Sequence, residues 1–143
     1  MTPYHFSLTI EDTFDKAVSR TREALAEHGF GIVSEIDLAA TLEEKLGVDH
    51  APYLILGACN PGFAHQAVGH EPSIGVLLPC NVVVRQADEN RVMIDFMDPS
   101  VMLDLVGEEG VHNVAEEVRT RLEMTRDAIA SSGRRQRETT PAH

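Results

Sequence analysis

Tyr53-Leu54-Ile55-Leu56 is an apolar run with no polar residue in alternate positions. A strand with one wet face shows apolar and polar residues in turn. A run that lacks the alternation belongs inside a sheet, covered on both faces. The segment from Pro52 to Cys59 is therefore expected to be a central strand. The rest of the chain must supply neighbours for it and a layer that covers it.

The neighbours are legible. Tyr4, Phe6, Leu8 and Ile10 recur every second residue and predict a strand over 4–10. Phe14, Val18, Thr21, Leu25 and His28 recur at helical spacing, with Asp12 or Thr13 as cap and Gly29 as stop. Residues 31–37 read as a second strand. Asp37 then caps a short helix with Leu38, Leu42 and Leu46 on one side, ended by Gly47.

Beyond the central strand, Asn60-Pro61 joins a cap to a proline at the first helical position. The helix it opens carries Phe63, Ala64, Ala67 and Val68, and Gly69 and Pro72 end it. Residues 74–78 and 81–86 are strand-like on either side of Pro79. Proline cannot donate to a ladder, so it marks a bulge, an edge or a break. The polar turn 87–90 joins 81–86 to a strand over 91–97, a hairpin. Asp98-Pro99 starts a short helix through Val106. After a break at 107–110, Val111, Val114, Val118, Leu122, Thr125 and Ile129 mark one face of a long amphipathic helix.

This order predicts an α+β fold: a mostly antiparallel sheet of about five strands with helices packed on one face. Residues 1–132 form a single domain, and residues 133–143 read as a disordered basic tail. No apolar run is long enough for a membrane-spanning helix. Met1–Ile10 lacks the basic start and apolar core of a signal peptide, so the cytoplasm is the expected location. There, two cysteines stay reduced. The net charge is −11, and removing the tail with Arg134, Arg135 and Arg137 leaves the body more negative still. With no basic stripe to offset this, nucleic acid and anionic membrane are excluded as partners. A cation or a neutral small molecule is tolerated.

The two cysteines sit in matched segments, Leu56-Gly57-Ala58-Cys59-Asn60-Pro61 and Leu77-Leu78-Pro79-Cys80-Asn81-Val82. Each thiol lies where an apolar strand meets a turn, so the two are expected near each other. Four roles are open: small buried core residues, the wall of a small-molecule pocket, ligands of a soft metal ion or haem iron, or a redox disulfide. His65, on the helix opened by Pro61, completes a possible three-ligand set Cys59, His65 and Cys80, with His70 as a further candidate. Asn60 and Asn81 have structural uses, as a helix cap and in a turn. The functional reading has their amides facing the same cleft and orienting a ligand, which makes Cys59, Asn60, His65, Cys80 and Asn81 the candidate binding set.

Catalytic readings carry fewer residues. Cys59 or Cys80 with His65 as base would make an activated thiolate. Glu35 and Asp37 share a strand face and could run acid–base chemistry or cap a helix. Gly-rich phosphate loops and H-E-x-x-H are absent. The expected class is a small binding domain rather than an enzyme, with a purely structural homodimer and a thiolate enzyme or redox protein as the alternatives.

Several of these segments together resemble a known family. Gly29-Phe30-Gly31, Glu35-Ile36-Asp37, Thr41-Leu42 and Lys45-Leu46-Gly47 are similar to its opening motif. The two Cys-Asn segments, Ala64-His65-Gln66-Ala67 and Asp98-Pro99 are similar to the rest. The pattern is that of the domain-of-unknown-function 302 family, over about Phe6 to Pro99. The resemblance implies a bacterial or archaeal domain with a TATA-box-binding-protein-like β-α-β-β-β-β-α layout and short inserted helices. It implies homodimers as a common state, and it implies no activity. Val68-Gly69-His70 departs from the pattern, and the long final helix and tail extend it.

Overall fold

The computed structural model describes residues 3–139. In chain order the elements are β1 (His5–Ile10), α1 (Phe14–Glu27), β2 (Gly31–Asp37), α2 (Leu38–Leu46), β3 (Tyr53–Cys59), α3 (Pro61–His70), a 3-10 turn (Pro72–Leu77), β4 (Cys80–Gln86), β5 (Val92–Met97), α4 (Val101–Leu105) and α5 (Glu109–Thr139). The side chains of residues 133–139 and all of residues 140–143 lie outside the described residues, and the basic tail read from the sequence falls there.

The five strands form one antiparallel sheet in the order β1-β5-β4-β3-β2. The α+β architecture is the one expected. Local chemistry sets the element ends. Thr13 Oγ1 accepts from Lys16 N at the start of α1, and Asp37 Oδ1 accepts from Ala40 N at the start of α2. Gly29 (φ 88°) and Gly47 (φ 67°) take the left-handed conformation that stops each helix cheaply.

The core lies between one sheet face and α1 with α5. Leu54, Leu56 and Ala58 of β3, Val82 and Val84 of β4, and Val92, Ile94 and Phe96 of β5 are all buried there. From α5 the whole expected stripe, Val111, Val114, Val118, Leu122, Thr125 and Ile129, is buried against them. Three polar contacts pin this long helix. Arg20 Nη2 of α1 donates to Ile129 O (2.5 Å), Arg121 Nη1 donates to His28 O (3.4 Å), and Arg119 Nε donates to the buried Asp98 (3.1 Å).

Two expectations are corrected. β3 is an inner strand but is not buried on both faces. Tyr53 and Ile55 are only half-buried, because the helix layer covers one face and leaves the other open. Its apolar run reflects a half-covered second face rather than a sandwich. Residues 74–78 are not a strand. Pro72 opens a 3-10 turn, and the Glu71 carboxylate accepts from Ser73 N. Spacing of three then turns Ile74 and Leu77 to the core and leaves Val76 87 % exposed. An apolar run of this length satisfies either geometry, and here the proline at each end favours the turn.

On the open face, the register of β2 against β3 shifts between Ile32 and Ser34, beside Gly57. A Cβ at Gly57 would overlap the Ser34 hydroxyl and meet Pro79 Cγ at 2.7 Å. Ser34 can rotate away, but the proline ring cannot. Gly57→Ala is therefore expected to cost about 1–3 kcal/mol of stability, read by urea denaturation against the unmodified chain. An unchanged midpoint would show that β4 moves freely at Pro79.

Candidate functional site

The ends of β3 and β4 meet where the sheet faces α3, α4 and the first turns of α5. Ala58 is directly opposite Cys80 in the β3–β4 ladder, and Cys59 is the next residue, where the chain leaves the sheet for α3. A cavity of about 40 Å³ lies there, bordered by residues Cys59 and Cys80. Phe30, Phe63, Leu78, Met102, Val111 and Val114 form most of its wall. At about 10–15 Å³ per water, the volume of about 40 Å³ admits about three or four waters or one ion. It does not admit a haem, so the haem reading finds no room in this conformation.

Both thiols are free; Cys80 is buried and Cys59 half-buried. Burial among apolar groups pushes the Cys80 thiol up from its ordinary 9.0 to about 11, and the negative charge Cys59 can carry adds to the rise. At neutral pH Cys80 is therefore a protonated thiol, a poor nucleophile.

Asn60 also borders the cavity, and its amide makes two hydrogen bonds to backbone. Its Oδ1 accepts from Phe63 N (3.1 Å), and its Nδ2 donates to Gly29 O (3.0 Å). It caps α3 and ties that helix to the α1–β2 turn, which satisfies two backbone groups at once. Pro61 follows at the first helical position, as the sequence indicates.

The other two candidates fall elsewhere. His65 is exposed and does not border the cavity. At about 100° per residue, Phe63 and Ala67 on the inner side of α3 place His65 about 200° from each. Asn81 is exposed on the open face, because strand alternation turns it away once Cys80 points in. It borders a shallow groove where Asp95 accepts from Ser7 Oγ (2.6 Å) and Arg85 Nε (2.8 Å). The set Cys59, His65 and Cys80 is thus not assembled. Among the described residues no group of three or more His, Cys, Asp and Glu side chains could hold a metal ion.

His70 lies against Gly110 at the start of α5, with Nδ1 3.8 Å from Glu108 Oε1. Glu35 pairs with Arg22 and Asp37 caps α2, so the two carboxylates have structural partners. Met102 is one of the cavity residues that the sequence reading did not assign to the site. Its only signal is the Asp98-Pro99 helix start, in which Met102 N donates to Pro99 O (2.9 Å).

The Domain of unknown function DUF302 model matches residues 6–129. The chain belongs to this family. The match passes well beyond Pro99 and takes in α5 as far as Ile129, so most of that helix is part of the family domain rather than an addition to it. A solved structure, the crystal structure of uncharacterized conserved protein DUF302 from Bacillus stearothermophilus, is similar, with a TM-score of 0.81 and 25% sequence identity. That alignment covers 90% of this chain and 99% of the other. No curated protein matches the chain. No helix among the described residues is long and apolar enough to cross a membrane.

The Cys80 thiol has a consequence for stability. Above pH 9 the unfolded chain loses this proton while the folded chain keeps it, so the unfolded state is favoured as pH rises. The stabilisation is fully present below pH 9 and is lost as pH rises towards 11, by about 2–3 kcal/mol in all. Denaturation midpoints measured from pH 8 to 11 should fall in this way, and Cys80→Ala should flatten the fall. An equal slope in the variant would assign it to other groups.

Proposed function

We propose that this chain is a non-catalytic binding domain whose ligand site is the cavity beneath Cys59 and Cys80. The observation that carries the reading is an opening of about 40 Å³ with a mostly apolar wall, bordered by both cysteines of the chain. The protonated state of Cys80 and the distance of His65 from the cavity wall argue against a thiolate enzyme with His65 as base. The acidic charge supports ligands other than nucleic acid.

The test is a screen of small apolar fragments and soft ions, read by the NMR shift of the Met102 methyl. Ligands of the cavity should move that resonance in the unmodified chain and leave it unmoved in Ala115→Leu, which fills the space. A screen in which nothing moves Met102 would reduce the cavity to a packing feature.

A second reading concerns self-association. β2 is an edge strand, and it exposes Val33 (64 %) and Ile36 (48 %), with Leu46 and Val48 beside it also exposed. Unpaired edge groups next to apolar side chains favour pairing with another strand. We infer a homodimer through this edge. Light scattering should give twice the mass of one chain, and Ile36→Lys should return it to one. A single-chain mass for the unmodified protein at high concentration would overturn the dimer.

A further inference from the structure

The sheet face that the helix layer leaves open carries a groove of about 370 Å³. Clefts that hold small molecules measure about 300–1,000 Å³, so this groove has the size for a ring-sized ligand. Half-buried Val83 of β4 lies at its centre. Strand alternation puts Asn81 and Arg85 on the same face, two residues to either side of Val83. Asp95 of β5 is directly opposite Val83, and Tyr53 of β3 is directly opposite Arg85. All four border the groove, so an apolar floor has polar groups around it.

The polar frame is held by the protein itself. Ser7 Oγ donates to Asp95 Oδ1 (2.6 Å), and Arg85 Nε donates to Asp95 Oδ2 (2.8 Å). These bonds orient the carboxylate and leave each oxygen a further lone pair. The single Ser7 proton goes to Asp95, so His5 Nδ1, 3.1 Å away, is the donor to Ser7 Oγ. The uncharged His5 ring then offers Nε2 as an acceptor at one end of the groove. Arg85 Nη1 and the Asn81 amide make no side-chain hydrogen bond with another described residue. Donors and acceptors are therefore both on offer around Val83. The charges of Arg85 and Asp95 cancel. An anion meets Asp95 and a chain of net charge −11, and a cation meets Arg85. The ligand these groups suit is neutral.

We propose that this groove binds a neutral sugar, one pyranose ring lying on Val83 with Tyr53 beside it. Such a ring has a C–H face for the apolar floor. Its edge carries hydroxyls that each donate and accept. Asp95 and His5 accept from them, Arg85 donates, and the Asn81 amide does either. The site is distinct from the cavity beneath the cysteines, and it gives Asn81 a role on the face to which alternation turns it.

The experiment is an NMR titration of the full chain with D-glucose, D-galactose and D-mannose, read at the methyls of Val83, Met97 and Met102. At least one sugar should shift Val83 and Met97 saturably and leave Met102, in the other site, unmoved. Cyclohexanol keeps a six-membered ring with one hydroxyl and should leave Val83 unmoved, because sites built around hydroxyls reject analogues that lack them. Glucuronate adds a carboxylate to the same ring and should bind about fivefold weaker or worse. Asn81 is exposed, so Asn81→Ala leaves the fold intact, and it should weaken the sugar about fivefold to tenfold. The proposal is overturned if no sugar moves Val83, or if cyclohexanol moves it as far as the best sugar does. Equal affinity in Asn81→Ala would also overturn it, as would a sugar that moves Met102 in place of Val83.

Discussion

The packing of α5 along one face of the sheet is the constraint on which the rest depends. Its stripe from Val111 to Ile129 supplies much of the apolar surface that the sheet buries. At roughly 1.5–3 kcal/mol for each fully buried aliphatic side chain, no other helix offers as much. The same helix closes the cavity with Val111, Val114, Ala115 and Val118. Its polar anchors reach α1 through Arg20 and Ile129, and the α1–β2 turn through Arg121 and His28. Sheet coverage and cavity shape are therefore set by one element.

A second joint lies at Asp98. Its buried carboxylate accepts from Ser100 N (2.9 Å) and Arg119 Nε (3.1 Å), while its backbone N–H donates to Tyr4 O (2.8 Å). One residue thus connects β1, the end of β5, the entry to α4 and the body of α5. It holds α4, and with it the cavity residue Met102, in place. The Asp98-Pro99 pair that the family resemblance singled out is accounted for by this positioning role. Asn60 does the corresponding work on the other side of the cavity, joining α3 to the α1–β2 turn. The cavity is framed by two small polar clamps whose side chains face backbone rather than ligand.

Much of the fold was legible because the signals are local. Thr13, Asp37 and Asn60 cap helices through bonds spanning three residues, and Gly29 and Gly47 stop them through their own backbone angles. The stripe of α5 is a periodicity that any one-sided covering must satisfy. The 74–78 segment was misread because four apolar residues and a glycine fit a strand or a 3-10 turn equally well. Three of the five candidate residues, Cys59, Asn60 and Cys80, border the cavity. His65 and Asn81 could have been excluded by phase alone, since Phe63 and Ala67 set the inner side of α3, and Cys80 sets the inner side of β4.

The sequence by itself determined the element order, the caps, the acidic charge and the two thiols at strand ends, because each depends on neighbours a few residues away. Tertiary structure decided which sheet face is covered, that Cys59 and Cys80 share a cavity, and that Met102 rather than His65 borders it. Those outcomes depend on the β3–β4 register and on where α4 is pinned by Asp98 and α5. Contacts between residues more than twenty positions apart leave no periodic trace in the chain, and only the closed packing of the core selects them.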